Sequence, residues 1–417
     1  MNRNRLLKRF LRYVKIDTTA QEGAKQYPSS PGQLALGRLL VEELQALGIA
    51  GARQDRHGIV LATVPATLAD RAARHAAPVI ALCAHLDTSP ETKGSGVSPQ
   101  VIENYQGGDL VLPGSQVIRV ADSPELEQLR GQTIITTDGT TLLGADDKAG
   151  VAVIMETAAW LMEHPRIPHG PVRICFTCDE EIGRGVDKLD LKRLGAVACY
   201  TLDGQGADTI DVETFSADLA VATISGVSIH PSIAKGRMVN AVRAAADFLA
   251  RLPRDHLSPE TTADRDGFLH PYELGGGVAE VSVRILLRDF QTEKLAELAE
   301  LLRQAAAATM REFPGAKIDV GVQRQYRNMA EGLAREPRAV AYAERALQRL
   351  GRQAKRTIVR GGTDGSRLTE LGLPTPNLAC GAHNPHSPLE WACLEEMLGA
   401  VEWLVALAEV WGGRNDE

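Results

Sequence analysis

Five residues of this chain are candidate ligands for divalent metals: His85, Asp146, Glu181, Asp203 and His386. Each stands where an apolar run gives way to a polar loop, or in the loop that follows. Imidazole nitrogen and carboxylate oxygen are donors that zinc accepts in roughly tetrahedral sites with one position kept for water. Two imidazoles and three carboxylates suffice for two zinc ions if one carboxylate bridges them, at the roughly 3.5–4 Å spacing of two-metal hydrolases. Asp146, central in sequence and short, is the expected bridge. Water held at such a pair is acidified from a pKa near 15.7 towards about 7. Glu180, beside Glu181, is placed to act as its general acid/base. Asp87, two residues past His85, is expected to orient that imidazole.

Taken singly, each residue has a plainer explanation. Asp146-Asp147 suits a helix start, where carboxylates cap free N–H groups. A histidine at a strand end is commonly a hydrogen-bonded structural residue, Asp203-Gly204 reads as a turn, and Glu180-Glu181 as a solvated helix start. Their recurrence at successive strand ends favours a site, because open α/β sheets collect ligands beyond the carboxyl ends of their strands. Asp147 then takes a supporting or capping role, and Lys148 is expected to pair with a nearby carboxylate.

The elements that must position these groups follow from patterning. A basic N-terminal segment carries Leu6, Leu7, Phe10, Leu11 and Val14 at helical spacing and is predicted to be a docked helix. Ser30 and Pro31 suit a helix start, as cap and first-turn residue. A continuous apolar run at 78–84 and mostly apolar runs at 172–177 and 196–202 predict buried strands, the first covered on both faces. They end in His85, Asp179-Glu180-Glu181 and Asp203. Residues 133–137 are strand-like, and a helix is predicted from Lys148 through Leu161. The intervening 89–141 is punctuated by glycine and proline and reads as loops and short hairpins. Near 212 the texture changes to half-exposed strands at 219–224, 280–287 and 318–323, with helices at 240–252 and 292–313. That β-α-β-α-β order predicts a small antiparallel sheet with helices on one face. Past about 330 the α/β texture returns, with a helix at 337–350, strands at 355–359 and 376–380, and a terminal helix at 395–410. The expected plan is a discontinuous catalytic domain, 1–213 with 328–417, interrupted by an inserted domain, 214–327.

Bulk properties narrow the function. A chain of 417 residues calls for two domains. A formal charge of −7 argues for solubility and against nucleic acid as a partner. No apolar run approaches the roughly 18 residues of a membrane span. Most of the six cysteines lie in apolar runs, which reads as reduced core thiols in a cytoplasmic protein. Cys175-x-x-Cys178 lacks a second pair, and on a strand its members face opposite ways.

His85-x-Asp87, Gly144-Ala-Asp146-Asp-Lys148-Ala-Gly150, Asp179-Glu180-Glu181-Ile-Gly183, Asp203-Gly204 and His386-x-x-x-Glu390 occur in that order. Together they resemble the di-zinc aminopeptidase, aminoacylase and carboxypeptidase superfamily. Further stretches narrow the resemblance to its tripeptide aminopeptidases: His85-Leu-Asp-Thr-Ser-Pro90, Asn104-Tyr-x-Gly-Gly-Asp109, Gly131-Gln-Thr133, Thr136-Thr-Asp-Gly139, Ile167-Pro-His-Gly170 and Arg360-Gly-Gly-Thr-Asp-Gly365. The resemblance spans essentially the whole chain. It implies a three-layer α/β/α zinc-peptidase domain with an inserted α+β, ferredoxin-like lid through which subunits dimerise. It implies one zinc on His85, Asp146 and Asp203 and a second on Asp146, Glu181 and His386, with cobalt or manganese as substitutes in vitro. Asp at position 203 goes with aminopeptidase relatives, whereas deacylase and carboxypeptidase relatives tend to carry Glu. His230 matches a lid histidine that reaches the partner's site, and Asn240, Arg288 and Arg360 match positions lining the substrate cleft. Arg288, Arg360 and Lys235 are candidates for reading the carboxylate of a short peptide. The implied activity is release of the N-terminal residue from short peptides, most of all tripeptides. The alternative is deacylation or carboxypeptidase action at the same site. Three positions depart from the family pattern: Ser232 replaces a glycine, Leu389 replaces a polar residue, and His383 is a rival ligand to His386.

Overall fold

The computed structural model describes residues 1–413. Two compact units form. One comprises Met1–Val212, Glu331–Thr357 and the chain from Thr363 onward, and the other comprises Glu213–Ala330 with Ile358–Gly362. The short segment 358–362, expected with the catalytic part, groups with the second unit because its contacts lie there. The Phe215 N–H donates to the Val359 carbonyl, and the Arg360 guanidinium lies over the Phe215 and Phe268 rings.

The first unit is built on a mixed sheet whose middle is four parallel strands. Their spatial order is Val172–Thr177, Ile80–His85, Ala198–Gln205 and Asn377–His383. The twofold alternation of a strand sorts their side chains between two faces. Leu82, Ala84, Ile174, Phe176, Tyr200 and Leu202 enter one core, whereas Ala81, Cys83, Cys175 and Cys199 enter the other. Helices Arg3–Tyr13, Pro31–Ala46, Ala145–Glu163, Arg338–Arg349 and Leu394–Trp411 contribute to the larger core. The short helices Leu191–Leu194 and Asp364–Glu370 contribute Leu194 and Leu368 to the smaller. Helix, sheet and helix thus make three layers. Helix Ala145–Glu163 is buried along nearly its whole length, as an all-round apolar helix must be.

Antiparallel strands flank the parallel centre. Val60–Val64 pairs with Val172–Thr177 on one side, and Trp391–Cys393 pairs with Asn377–His383 on the other. All six cysteines are free and buried, and Cys175 and Cys178 fall in different cores. Among the described residues no helix is long and apolar enough to cross a membrane.

Three local expectations need correction. Ser30 stands before helix Pro31–Ala46, but its hydroxyl makes no cap bond and instead contacts the Thr18 carbonyl at 3.4 Å. Among the described residues Lys148 pairs with no carboxylate at close range; its Nζ donates to the Ile16 carbonyl at 2.8 Å. The third correction concerns the second unit. Its sheet has four antiparallel strands in the order Phe268–Gly276, Glu280–Asp289, Ser216–Ser225, Lys317–Tyr326, so the chain order is β-α-β-β-α-β, the ferredoxin-like arrangement. Strand Phe268–Gly276 escaped notice because it lies at the sheet edge, is mostly exposed, and carries Pro271, Gly275 and Gly276. Proline and glycine in a strand are tolerated at such edges. Helices Ala241–Ala250 and Lys294–Glu312 pack on the face that buries Ala220, Ala222, Ile224, Val283 and Ile285.

Candidate metal centre

The four parallel strands deliver the chemistry from their carboxyl ends. His85 is the last residue of Ile80–His85, and Asp203 lies within Ala198–Gln205. Glu180 and Glu181 follow Val172–Thr177 in a short 3-10 turn. His386 follows Asn377–His383 in the loop leading to Trp391. Asp146 enters from helix Ala145–Glu163, at a point where Asp146 and Asp147 depart from helical geometry.

These groups converge. Asp146 divides its oxygens: Oδ1 is 2.9 Å from His85 Nε2, and Oδ2 is 3.5 Å from His386 Nε2. His85 Nε2 also faces Asp203 Oδ1 at 3.9 Å, and His386 Nε2 faces Glu181 Oε2 at 2.9 Å. Each imidazole nitrogen therefore sits between two carboxylates, with Asp146 common to both. Ligand atoms of His85, Asp146 and Glu181 lie within 4.8 Å of one another, and so do those of His85, Asp147 and Asp203. Asp147 is better understood as a brace than a ligand, because its Oδ2 accepts the His85 backbone N–H at 3.1 Å.

The electrostatics follow from crowding carboxylates in a dry place. Burial, then the charge of Asp146, raises the Glu181 carboxyl to about 7. Burial raises Asp203 well above its ordinary value, with Asp146 and Asp147 adding to it. Burial does the same to Glu180, helped by Asp364, Asp203 and Glu181. For His85 and His386 burial works downward, but hydrogen bonds with Asp146 reverse it, lifting His85 well above its usual value and His386 to about 11. Burial likewise works upward on Asp146, yet its bonds to His386 and His85 hold it well below the usual carboxylate range. Such a cluster must take up protons or cations to be stable. Metal ions fit the donors present: two imidazoles and three carboxylates, one of which, Glu181, has a buried Oε1 with no hydrogen-bond partner among the described residues.

Buried groups around the cluster fix its loops. Asp87 accepts the Glu180 N–H on Oδ1 at 3.1 Å and the Glu181 N–H on Oδ2 at 3.0 Å. Its carboxylate reaches His85 Nδ1 only at 3.5 Å, and the closer partner of Nδ1 is the Asp87 carbonyl at 3.2 Å. Asp87 thus positions the acidic turn at least as much as the imidazole. Asp179 accepts from the Ser29 backbone, the Ser29 hydroxyl and Gln33 Nε2, tying the other side of that turn to helix Pro31–Ala46. Glu91 Oε2 lies 3.1 Å from His386 Nδ1 and so orients that ring. Neither Asp179 nor Glu91 was singled out from the sequence as a support. The available signal was their position inside the Asp179–Gly183 and His85–Pro90 stretches or beside them.

The remaining candidates lie elsewhere. His383 is not in the cluster; it stacks on Trp391 at 3.7 Å and bonds Glu396 Oε2 through Nε2 at 2.6 Å. His230, Asn240, Arg288 and Arg360 all belong to the second unit. His230 is exposed, and its Nδ1 is 2.7 Å from the Ser232 hydroxyl, so the departure at 232 supplies a partner for that ring. Asn240 caps helix Ala241–Ala250, its Oδ1 accepting from Val242 and Arg243. Arg288 is buried over Tyr326 and donates to the Asp218 and Leu287 carbonyls. Arg360 donates to Thr262 Oγ1 and the Asp264 carbonyl.

The model of peptidase family M20/M25/M40 matches residues 137–410 of the chain. Peptidase T of Geobacillus thermodenitrificans (strain NG80-2) is 42% identical over 407 residues, covering 97% of this chain and 98% of that protein. The crystal structure of aminopeptidase PepT from Bacillus cereus ATCC 10987 superposes with a TM-score of 0.74 at 26% identity, covering 99% of each chain. The fold is also that of the Bacillus subtilis YXEP protein, a dinuclear metal-binding peptidase of family M20, with a TM-score of 0.60 at 17% identity and 98% of each chain covered.

Proposed function

The chain belongs to peptidase family M20/M25/M40, and we propose that it is a two-metal aminopeptidase that removes the N-terminal residue from tripeptides. The observation that carries this reading is Asp146, with one oxygen towards each of two imidazoles that are themselves flanked by Asp203 and Glu181. We assign zinc to both positions. The first would be held by His85, Asp146 and Asp203 and the second by Asp146, Glu181 and His386. The chemistry such metals would supply there is polarisation of a carbonyl and acidification of water.

The chain's own residues supply the rest. Glu180 lies beside the ligands without being one, and its raised proton affinity suits a group that takes a proton from water and passes it to the leaving amine. The excess of carboxylates also favours a substrate whose end is an ammonium group, as an unblocked peptide provides. His230, Asn240, Arg288 and Arg360 are proposed as substrate-facing groups of the inserted unit, with arginine suited to pairing a peptide carboxylate. We propose that two copies pair through that unit. Its support is a set of exposed apolar side chains, Val227, Ile233, Val242, Tyr272 and Leu274. Six free, buried thiols support a reducing, cytoplasmic setting.

A free tripeptide compared with its N-acetyl form tests the reading. Release of the first residue from the free peptide, with the blocked one turned over at least about 10²-fold more slowly, is expected, since a site built for an ammonium leaves its carboxylates unpaired otherwise. Equal turnover of both would move the protein to the deacylases or carboxypeptidases.

A further inference from the structure

We infer that Glu390 is a positioning residue that holds the bridging carboxylate in place and ties it to the loop of His386. The inference rests on the two-metal reading above. Its starting point is a shortage of hydrogen-bond acceptors. The turn 143–146 approaches helix Ala145–Glu163 through Gly144 at φ +78° and leaves Asp146 at φ −81°, ψ 104°, outside helical geometry. Backbone N–H groups at a helix start have no partner within the helix. Here Leu143 and Ala145 are fully buried, so water does not serve them.

Glu390 fills the gap from 244 residues away in sequence. Its Oε2 accepts from the Leu143 and Gly144 N–H groups, each at 2.7 Å, and its Oε1 accepts from the Asp146 N–H at 3.0 Å. The carboxylate is 1% exposed. Three charge-assisted bonds, from the Leu143, Gly144 and Asp146 amides, fix the backbone of this turn, and with it the direction of the Asp146 side chain.

The other end of the link is equally constrained. Glu390 and His386 share the loop between Asn377–His383 and Trp391–Cys393, whose strands pair with His383 opposite Trp391. The His383 ring stacks on the Trp391 ring with planes 2° apart, closing the neck of that loop. Asn384 donates to Ser123 Oγ, and Thr92 donates to the His386 carbonyl at 2.6 Å, holding its body. His386 adopts φ +60°, a conformation that a non-glycine residue keeps only when its surroundings enforce it. Glu390 therefore joins the bridging ligand to one terminal ligand through a single buried side chain. Loosening it misplaces Asp146 for both metals, whereas loss of an ordinary surface contact disturbs neither.

The test compares wild type, Glu390→Gln and Glu390→Ala. In the metal-free proteins, amide exchange is followed at 143–146; zinc affinity is then measured by competition with a chromophoric chelator. The Gln amide keeps one oxygen for Leu143 and Gly144 but turns a donor towards the Asp146 N–H. Expected for Glu390→Gln is faster exchange at Asp146 by about tenfold or more, with Leu143 and Gly144 still protected. Both zinc affinities should fall about 10–100-fold, the usual range for partners of ligands. Glu390→Ala should release all three amides; if it does not fold, Glu390→Gln alone decides. A lowered Tm with unchanged zinc affinity would mark a merely structural staple and overturn the inference, as would wild-type exchange at Asp146. If wild type itself bound no metal, the two-metal reading would fall, and the exchange data would still decide whether Glu390 holds the turn.

Discussion

Glu180→Ala is expected to retain both metals and lose about 10²–10⁴-fold in kcat, the range that a positioned acid/base supplies. The separation of these two effects comes from geometry. The carboxylates that face the Nε2 atoms of the two imidazoles are those of Asp146, Asp203 and Glu181. Glu180's own carboxylate accepts no hydrogen bond among the described residues, and its backbone N–H is held by Asp87 independently of its side chain. Removing the side chain therefore leaves the turn anchored. Stability moves in a definite direction as well. The folded-state proton affinity of Glu180 is raised, chiefly by burial, so its ionised form is penalised as pH rises above the ordinary Glu range. The metal-free variant should then be no less stable than wild type at neutral pH. Metal content by elemental analysis, kcat with a tripeptide and Tm of the chelated protein check all three. Loss of one metal per chain would make Glu180 a ligand instead of a base.

Asp146→Asn is expected to abolish turnover and to weaken both metals by more than the roughly 10–100-fold typical of partners around a site. The substitution keeps size and shape but replaces one of two oxygens with an amide nitrogen that carries no free lone pair for a metal. Because Oδ1 faces His85 and Oδ2 faces His386, neither orientation of the amide serves both positions. The bridge also loses its charge, and the buried His85 and half-buried His386 imidazoles lose an anionic partner that they share. Asp203→Asn offers the contrast, since Asp203 approaches His85 and should affect one metal more than the other. Zinc titration of the two metal-free variants separates these patterns. Two tightly held metals in Asp146→Asn would rule out its bridging role.

Much of the architecture was legible because its strands are buried on both faces. Runs such as 80–84 and 174–176 are apolar and therefore stand out, and the polar residues that follow each one mark the functional edge of the sheet. His85, Asp146, Glu181, Asp203 and His386 could be named for that reason, and the structure places them side by side. What local pattern does not carry is the pairing of buried groups far apart in sequence. Glu390 with the turn 143–146, Asp179 with Ser29 and Gln33, and Asp87 with the Glu180–Glu181 backbone are separated by 93 to 247 residues. Nothing in the spacing of an acid says which backbone N–H will need it. Lys148 is the same lesson in reverse: a lysine near several acids was expected to pair with one, but its Nζ donates to the Ile16 carbonyl instead. The edge strand Phe268–Gly276 was hidden for a different reason, as exposure, proline and glycine erase the alternation that identifies a strand.

The central claim is that this cluster works as a two-metal peptidase, and one measurement addresses it directly. The protein is stripped with a chelator, then titrated with zinc while release of the N-terminal residue from a tripeptide is followed. Activity is expected to vanish on stripping and to return as zinc approaches two ions per chain. Undiminished activity in the fully stripped protein would contradict the claim, and so would a protein that takes up two zinc ions and releases no residue.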